Sequence, residues 1–401
     1  MDITIHPGKL AGTVHAIPSK SHAHRLLICS AFADKETELI CPQTNRDIEA
    51  TVDCLNAIGA NIRRTDLGYH IVPVSIIPES AVLNCAESGS TLRFMLPIIG
   101  ALGIDATFLL AGRLPDRPLS PLWEQMEQMG CRLTRPSSNT LNCNGKLIAG
   151  TYTISGNVSS QFITGLLFAA ALIEGNSRID VVGKLESKPY VDMTADALQQ
   201  FGVSIKDYHI TGSYPFSTPG QLSVEGDGSN AAFFLAAQAL GSTLTVSGLS
   251  SDSKQGDKAI IENLEKLETH STIDCADIPD LVPIMAVVAG VKCGAVFTNI
   301  ARLRLKESDR VSAVSTMLQQ LGAQTEVTEQ TLTVYPAQYK GCTIDAVGDH
   351  RIAMAAAIAA TVSADPVTIL DAQCVEKSYP DFWNTYKELG GNYEQHIRRT
   401  N

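Results

Sequence analysis

Residues 87–103 read ESGSTLRFMLPIIGALG, a short polar opening that leads directly into an apolar stretch. Five other segments share this pattern of polar or small residues followed by a stretch rich in alanine and leucine. They are residues 18–33 (PSKSHAHRLLICSAFA), 157–173 (NVSSQFITGLLFAAALI), 226–240 (GDGSNAAFFLAAQAL), 277–290 (DIPDLVPIMAVVAG) and 348–360 (GDHRIAMAAAIAA). An apolar stretch of helical length without a polar face predicts a helix that is buried inside its domain.

The six openings recur at a nearly constant interval. Successive spacings of 69, 70, 69, 51 and 70 residues separate Ser21, Ser90, Ser160, Ser229, Asp280 and His350. A constant interval indicates a structural repeat. The sequence therefore predicts six units, one of them shortened.

A second, amphipathic helical pattern follows each apolar segment. The six copies are residues 48–62, 122–133, 193–205, 259–273, 311–327 and 382–394. Five of them end in a glycine suited to the left-handed C-terminal cap, namely Gly59, Gly130, Gly202, Gly322 and Gly390, whereas the fourth has Glu268 near that place. Short β-branched runs at residues 151–156, 243–248 and 331–336 predict strands.

Six units suggest two halves of three. The joint is predicted near residues 213–226, where Pro215, Pro219 and Gly220 suit a hinge. Alternating strands and helices predict an α/β or α+β protein in which helices cover the sheets. Helix N-termini carry unpaired N–H groups, so six such ends converging on one cleft would bind an anion. For any single opening, the simpler interpretation is that Ser, Asp or Asn only caps the helix.

Composition narrows the class of protein. The chain has 401 residues, 44% of them hydrophobic, which is enough for two or three domains with their own cores. Its net charge of −11 and the lack of a basic run argue against binding nucleic acid or an anionic membrane. No apolar run reaches the length of about 20 residues that a membrane span needs, and no secretory signal is evident at the N-terminus.

The ten cysteines form no C-x-x-C pair, which argues against a structural zinc site or a redox motif. Cysteines scattered in this way are expected to be reduced core residues of a cytoplasmic protein. In the absence of an exposed apolar stripe, a monomer is expected.

Several openings carry more cations and hydroxyls than capping requires. Lys20, Ser21 and Arg25 lie within one turn of a helix start, where they could bind a phosphate or carboxylate. Three further groups could contribute: Gly89, Ser90, Thr91 and Arg93; Arg113 and Arg117 in a proline-rich connector; and Ser159, Ser160 and Gln161 before the most apolar helix. Ser187 and Tyr190 lie in a segment that also suits a loop and helix cap.

The densest charge cluster is Arg304-Leu-Lys-Glu-Ser-Asp-Arg310. It describes either a solvated helix start or three cations around Glu307, an arrangement that would hold an anionic substrate beside an acid or base. Asp349, His350 and Arg351 open the last apolar helix, and Lys377 follows later in the chain. Asp280 precedes another apolar helix, where N-capping is the simpler interpretation.

Taken together, these segments resemble the family of 5-enolpyruvylshikimate-3-phosphate (EPSP) synthases, the 3-phosphoshikimate 1-carboxyvinyltransferases. The motifs SKSxxxR, SGSTLRF, SSQF, SKPY, EGDxS, IPDL, LKESDR and DHR occur in order between Pro18 and Asp381. The resemblance implies two globular domains, each of three βαβαββ-type units with buried helices whose N-termini face the interdomain cleft. It assigns residues 13–220 mainly to shikimate 3-phosphate, and residues 1–12 with 221–401 mainly to catalysis and phosphoenolpyruvate.

The resemblance also implies the reaction. Phosphoenolpyruvate and shikimate 3-phosphate would give the enolpyruvyl ether and phosphate, as in chorismate and aromatic amino acid biosynthesis, without a metal or organic cofactor. Shikimate 3-phosphate would be bound by Lys20, Ser21, Arg25, Ser159, Ser160, Gln161, Ser187, Tyr190, Asp280 and Lys306. Phosphoenolpyruvate would be bound by Lys20, Gly89, Arg117, Gln161, Arg310, Arg351 and Lys377, with Glu307 and His350 close by.

Asp280 would accept the proton of the 5-hydroxyl group as it attacks C2 of phosphoenolpyruvate. Glu307 or Lys20 would carry the proton to C3, although the surrounding cations should hold Glu307 ionised at rest. The catalytic set implied by the resemblance is thus Asp280, Glu307, Lys20 and His350. Closure of the domains on the first substrate would exclude water.

Two departures from the family pattern affect ligands. Glu87 stands where the family often has Asn, which places a carboxylate near the phosphoenolpyruvate site and leaves sensitivity to glyphosate, a candidate inhibitor, open. Arg302 replaces an Asn found in some members and is left out of the site.

Two alternatives remain at this stage. The sister enzyme transfers enolpyruvyl to UDP-N-acetylglucosamine, but it characteristically has a reactive Cys in the loop matching residues 111–122, where this chain has none. A non-catalytic anion-binding repeat protein would bind the substrates without turnover and would tolerate loss of Asp280 and Glu307.

Overall fold

The computed structural model describes residues 1–212 and 214–396. The chain divides into two compact units. We call Pro18–Glu225 the inserted unit, and Met1–Ile17 with Gly226–Asn401 the terminal unit. The crossovers lie at residues 17/18 and 225/226, a few residues after the boundaries expected from the sequence. Of the predicted joint, Ser213 lies outside the described residues, as do residues 397–401 of the predicted second domain.

The described helices are α1 (Lys20–Ala31), α2 (Arg46–Ala57), α3 (Gly89–Leu102), α4 (Leu122–Gln128), α5 (Ser160–Leu172), α6 (Lys188–Gln200), α7 (Gly228–Ala239), α8 (Ile260–Lys266), α9 (Val282–Val291), α10 (Arg310–Gln320), α11 (His350–Ala360) and α12 (Phe382–Glu388). Short 3-10 turns occur at Leu114–Asp116, Gly256–Ala259, Pro279–Leu281, Ala301–Leu305 and Ala372–Lys377.

The described strands are β1 (Asp2–His6), β2 (Ala11–His15), β3 (Thr37–Ile40), β4 (Asn61–Arg64), β5 (Gly68–Val72), β6 (Ser80–Ala86), β7 (Asp105–Leu110), β8 (Cys131–Ser137), β9 (Thr140–Gly145), β10 (Thr151–Ser155), β11 (Asn176–Val182), β12 (Ile205–Lys206), β13 (His209–Thr211), β14 (Gln221–Ser223), β15 (Thr243–Ser247), β16 (Ser271–Asp274), β17 (Ala295–Thr298), β18 (Thr325–Val327), β19 (Thr331–Val334), β20 (Thr343–Asp345), β21 (Val367–Leu370) and β22 (Asn392–His396).

The predicted repeat is visible in the sheets. Within the described residues each unit contains three sheets, and five of the six follow one plan of a parallel strand pair extended by two antiparallel strands. The order β6-β7-β9-β8 is representative, with α3 connecting the parallel pair β6 and β7. The sixth sheet contains only β15 and β2, and it belongs to the repeat that the 51-residue interval marks as shortened.

Strands are exchanged where the chain passes between the units. In the other copies the strand before the apolar helix pairs with the strand after it. Here β2 precedes α1 but pairs with β15, whereas β14 precedes α7 but pairs with β3. The first strand of the chain, β1, lies between β21 and β22. The terminal unit therefore contains both ends of the described chain in one sheet.

The six apolar helices form the cores, as their sequences predict. In α9 every residue from Val282 to Gly290 is buried, and in α11 every residue is buried. The amphipathic helices end as predicted: Gly59, Gly130, Gly202, Gly322 and Gly390 all have positive φ. Seven of the ten cysteines are buried, but Cys293 is exposed and Cys342 and Cys374 are half-buried, so these three are not core residues.

Capping occurs at five of the six helix openings, but at other residues than those that mark the repeat. Ser21, Ser90 and Ser229 lie inside the first turn, and Ser160 and His350 are the first residues of their helices. The side chains that cap these five helices belong to Ser19, Ser88, Ser159, Asp227 and Asp349. No helix among the described residues is both long and apolar enough to cross a membrane.

Gly165 allows α3 and α5 to pack closely. A Cβ atom at this position would overlap the backbone oxygen of Arg93 and would lie 3.0 Å from Cγ of Pro97. Helix propensity alone favours Gly165→Ala by about 1 kcal/mol. We expect the variant instead to lower the free energy of unfolding by about 1–3 kcal/mol, because the backbone of α3 would have to move. Urea denaturation checks this, with Gly8→Ala, where a Cβ meets nothing within 4 Å, as the control.

Candidate functional site

Lys20 is the first residue of α1 and lies beside a buried carboxylate. Its Nζ is 2.9 Å from Oδ2 of Asp47, the second residue of α2, and Asp47 is only 5% exposed. The sequence analysis missed Asp47, because an acidic residue in the first turn of a helix is commonly explained by the helix dipole alone.

Buried polar side chains link the starts of α1, α2 and α3. Nδ1 of His24 lies 2.7 Å from Oγ1 of Thr51, which lies 2.7 Å from Oγ1 of Thr91. Thr91 also hydrogen-bonds Oγ of Ser88, the cap of α3, at 2.7 Å. Burial lowers the pKa of His24 to about 3, so the ring is neutral near pH 7. Because all four side chains are fully buried, this chain of hydrogen bonds holds the three helix starts together.

Arg25 is a buried cation, and most N–H groups of its guanidinium donate hydrogen bonds to other residues of the protein. Nε donates to Oγ1 of Thr194, Nη1 to the carbonyl of Ser21, and Nη2 to the carbonyl of Tyr190 and to Oγ1 of Thr164. Among residues 1–212 and 214–396, no carboxylate forms an ion pair with it. Burial lowers its pKa to about 10, so it stays charged at neutral pH. An unneutralised buried charge of this kind favours an anionic ligand.

Two guanidinium groups meet at the start of α3. A Cβ atom on Gly89 would overlap Nη1 of Arg117 and would lie 2.8 Å from Nη1 of Arg93. Nε of Arg117 is buried and makes no hydrogen bond within the described chain. Gly89 thus leaves room for Arg117 against the N-terminus of a helix, which is a suitable place for a phosphate or carboxylate.

The start of α5 is tied to α3. The side chain of Gln161 accepts a hydrogen bond from Nη1 of Arg93 at 3.0 Å and donates one to Oγ of Ser90 at 2.9 Å. Ser159 caps α5, and Ser160 is buried in its first turn. Gln161, predicted as a ligand, therefore positions Arg93 in this structure.

The candidates at α6 are Ser187 and Tyr190. Ser187 occupies the cap position in the left-handed conformation, with φ 55°, but its side chain makes no capping hydrogen bond. Tyr190 is half-buried in the first turn, and its carbonyl accepts the bond from Arg25. The helix-cap interpretation of Ser187 thus holds for its place in the chain but not for its side chain.

In the terminal unit, Asp280 is held by cations instead of capping a helix. It lies in the turn Pro279–Leu281, and the cap position of α9 is occupied by Leu281 and not by Asp280. Oδ1 accepts a hydrogen bond from Nη1 of Arg310 at 2.8 Å and lies 3.4 Å from Nζ of Lys306. Oδ2 accepts from Nη2 of Arg351 at 3.2 Å. The capping interpretation of Asp280 is wrong, because three cations occupy its oxygens.

Arg310 lies at the centre of this cluster. Besides Asp280, it binds Glu307 (Nη2 to Oε2, 2.6 Å) and Asp349 (Nε to Oδ2, 2.9 Å, and Nη2 to Oδ1, 3.2 Å). Its side chain is 0% exposed. Of the three cations expected around Glu307, Arg310 binds it, whereas Arg304 pairs with Asp309 at 3.3 Å. Four of the five N–H groups of Arg310 are thus used within the cluster.

Arg351 lies in the first turn of α11. Its Nη1 donates to Oγ of Ser229 at 2.7 Å, which ties α11 to α7. Asp349 caps α11 by accepting a bond from the backbone N–H of Arg351 at 3.0 Å. His350 is buried beside it with 1% of its surface exposed.

The last candidates lie around this cluster. Lys306 and Glu307 are half-buried in the segment before α10. Lys377 is half-buried at the end of the turn Ala372–Lys377, which packs on α11. Arg302, left out of the site, donates to the carbonyl of Ala276 at 2.9 Å.

The pKa values of Asp280 and Lys306 are both lowered, but for different reasons. Burial alone would raise the pKa of Asp280, but Arg351, Lys306 and Arg310 hold it well below its usual range. Burial lowers the pKa of Lys306 to about 8, although Asp280 opposes the shift. At neutral pH Asp280 is therefore ionised and able to accept a proton. No group of three or more His, Cys, Asp or Glu side chains in the described chain is arranged to hold a metal ion.

Two residues of this cluster were named in the sequence analysis without a function. Ser229 and Asp349 lie at helix openings, yet they also hold Arg351 and Arg310 respectively. A polar side chain at a helix start has an ordinary explanation as a cap, so only its contacts distinguish the two roles.

The sequence profile described as EPSP synthase (3-phosphoshikimate 1-carboxyvinyltransferase) matches residues 5–386. A 3-phosphoshikimate 1-carboxyvinyltransferase of Clostridium kluyveri is 37% identical, over 98% of each chain. One of Clostridium perfringens is also 37% identical, over 97% of this chain and 98% of its own. Among solved structures, an EPSP synthase of Acinetobacter baumannii superposes with a TM-score of 0.81 at 22% identity, over 98% of this chain and 100% of its own. The enolpyruvyl transferase NikO of Streptomyces tendae gives 0.79 at 16% identity, over 98% of each.

Replacing Arg310 should destabilise the protein in a pH-dependent way. Arg310→Gln leaves buried carboxylates without their counter-charge, so we expect the free energy of unfolding to fall by about 3–5 kcal/mol near neutral pH. In the parent protein the depressed pKa of Asp280 stabilises the fold above the unfolded-state pKa of about 3.9 and this contribution is lost as pH falls through the folded value. The difference between variant and parent should therefore shrink as the pH falls towards that range.

Denaturation at several pH values measures this difference. Arg304→Gln is the matched control, because its ion pair with Asp309 is partly exposed (34% and 44%) and should contribute less than about 1 kcal/mol. Equal, pH-independent losses in the two variants would contradict the buried charge cluster.

Proposed function

We propose a function from the family of this chain, which belongs to the EPSP synthases. The chain transfers the enolpyruvyl group of phosphoenolpyruvate to the 5-hydroxyl of shikimate 3-phosphate and releases phosphate. The observation that carries the mechanism is the ionised Asp280 held between Arg310, Lys306 and Arg351. The curated relatives carry the name of the shikimate enzyme, and the loop of residues 111–122 has no cysteine, so the UDP-N-acetylglucosamine alternative is not favoured.

Asp280 acts as the general base. One of its oxygens accepts the proton of the 5-hydroxyl as that oxygen attacks C2 of phosphoenolpyruvate, while C3 gains a proton and a tetrahedral intermediate forms. The intermediate then returns a proton from C3 to the group that delivered it, which restores the C2=C3 double bond as the C2–O bond to phosphate breaks and phosphate leaves. The strong cation contacts make Asp280 a weak base in the free protein, but anionic groups of the substrates compete for Lys306 and Arg351 and so raise its proton affinity.

Glu307 and Lys20 remain the candidates for the proton delivered to C3. Glu307 accepts a hydrogen bond from Arg310, and Lys20 faces Asp47, so each has a charged partner that can respond to a change in its protonation. We assign His350 a position next to this chemistry.

The substrate groups are assigned by charge. Each substrate carries a carboxylate and a phosphate of about −1.5 to −2 at neutral pH. In the inserted unit Arg25 and Arg117 have no carboxylate partner within the described chain, and Lys20, Ser21, Ser159, Ser160, Ser187 and Tyr190 add polar groups there. We assign that unit mainly to shikimate 3-phosphate. We assign Lys20, Gly89, Arg117, Gln161, Arg310, Arg351 and Lys377 to phosphoenolpyruvate.

Narrower expectations accompany this proposal. We propose that the reaction takes place in the cytoplasm, that the chain acts as a monomer, and that glyphosate, which carries a phosphonate and a carboxylate, competes for the cations assigned to phosphoenolpyruvate.

Phosphate release from the purified protein tests the proposed function. We expect release from phosphoenolpyruvate only when shikimate 3-phosphate is also present, because both substrates enter the intermediate. UDP-N-acetylglucosamine in place of shikimate 3-phosphate is the control and should support no release. Release with UDP-N-acetylglucosamine would favour the sister reaction, and binding of both substrates without release would favour the non-catalytic alternative.

Asp280→Asn should separate catalysis from binding. Removal of the base is expected to lower kcat by about 10²–10⁴-fold, while the KM values stay within a few-fold because Arg351 and Lys306 keep their charges. Steady-state kinetics and calorimetric titration measure the two effects. Asp345→Asn, at the exposed last residue of β20 in the same unit, is the control. Loss of shikimate 3-phosphate binding with turnover of bound substrate intact would refute the role of Asp280.

A further inference from the structure

Asp349 is the carboxylate of the cluster that is most remote from solvent. Its side chain is 0% exposed, whereas that of Asp280 is 17% exposed. It accepts bonds from Nε and Nη2 of Arg310, from Oγ of Ser308 at 3.0 Å and from the backbone N–H of Arg351. A group so enclosed is placed to act through its neighbours instead of on a substrate.

Those neighbours are the two arginines that bind Asp280. Arg310 reaches Oδ1 of Asp280 and Arg351 reaches Oδ2, so each carboxylate oxygen has its own guanidinium. Asp349 binds the first arginine through two parallel N–H···O contacts and fixes the backbone of the second at the start of α11. A two-point contact between Arg and a carboxylate fixes the orientation of the guanidinium plane as well as its position.

Capping of α11 does not account for these contacts. Asparagine caps a helix about as well as aspartate does, because one side-chain oxygen is sufficient. The second oxygen and the negative charge of Asp349 serve Arg310, which lies 39 residues away in sequence and 0% exposed. A carboxylate partner stabilises a buried guanidinium, because no water surrounds its charge.

The charge of Asp349 also balances the cluster. Asp349, Asp280 and Glu307 carry three negative charges, and Arg310, Arg351 and Lys306 carry three positive ones. Other titratable groups near Asp349 include the buried His350, which is the next residue in the chain, and the thiol of Cys374, whose pKa is raised mainly by burial and in part by Asp371 and Asp349. Without the charge of Asp349 the cluster carries one excess positive charge, and Asp280 becomes a weaker base.

We propose that Asp349 is a positioning residue that holds Arg310 and the first turn of α11 so that Arg310 and Arg351 each bind one oxygen of Asp280. The inference rests on the proposed function, in which Asp280 is the base. Asp349 touches neither substrate, and its effect on the reaction passes through the two arginines.

Asp349→Asn tests the proposal in the full chain, since it keeps the shape and the cap and removes the charge. We expect kcat to fall about tenfold, because a decrease of one unit in the pKa of the base lowers its reactivity by up to that factor. We expect the acidic limb of the pH profile to move to lower pH and the KM for phosphoenolpyruvate to change less than threefold. Ser308→Ala, which removes only the hydroxyl contact, should lower kcat two- to fivefold and keeps the test informative if Asp349→Asn folds poorly.

Asp309→Asn is the matched control. Asp309 is also an N-cap with an arginine partner, capping α10 and pairing with Arg304, but it is 44% exposed. It should leave kcat and the pH profile unchanged. An Asp349→Asn variant with the parent's kcat and pH profile would overturn the proposal. So would a variant whose loss of activity is matched by loss of folded protein or of substrate binding. Inactivity of the parent protein in the same assay would instead count against the proposed function.

Discussion

The charge of a guanidinium without access to water needs stabilisation from the protein, and Arg310 obtains it by binding three carboxylates at once. This requirement brings together segments that are distant in sequence: the turn before α9, the segment before α10 and the start of α11. Asp280 and Asp349 are linked through this cation and also through Arg351, whose guanidinium binds Asp280 and whose backbone N–H binds Asp349. The arrangement at the start of the apolar helices of the terminal unit is therefore a consequence of neutralising one buried charge.

The two units differ in whether their buried cations have carboxylate partners. In the terminal unit the charges of the cluster are balanced by the protein, so the unliganded cluster is complete and a substrate must compete for Lys306 or Arg351. In the inserted unit Arg25 and Arg117 lack such partners within the described residues. A balanced cluster favours precise placement of a base, whereas unneutralised cations favour binding of an anion. This contrast supports the division of roles that we propose.

Much of the fold could be predicted because it depends on local pattern. The interval between the openings, the apolar sequence of α9 and the glycine after α2 each report a constraint that one segment carries alone. The exchange of β2 and β14 could not be predicted, since pairing depends on which strands meet. The site divides in the same way. Residue types at the openings indicated anion chemistry, but the partners of Asp280 and the role of Gln161 depend on contacts between residues far apart in sequence, from Asp280–Lys306 to Arg93–Gln161.

The strand exchange has a consequence for how the chain can be cut. Ser19 N donates to the carbonyl of Glu225 at 2.8 Å, and Asp227 N donates to the carbonyl of Ile17 at 2.7 Å, so each unit has its two severed ends side by side. The inserted unit is one continuous segment of the chain and contains β14, so we expect that it can be produced on its own. The terminal unit is restored by a short peptide linking Ile17 to Gly226, which keeps β2 beside β15. The chain is thus organised as one compact unit inserted between Ile17 and Gly226 of another.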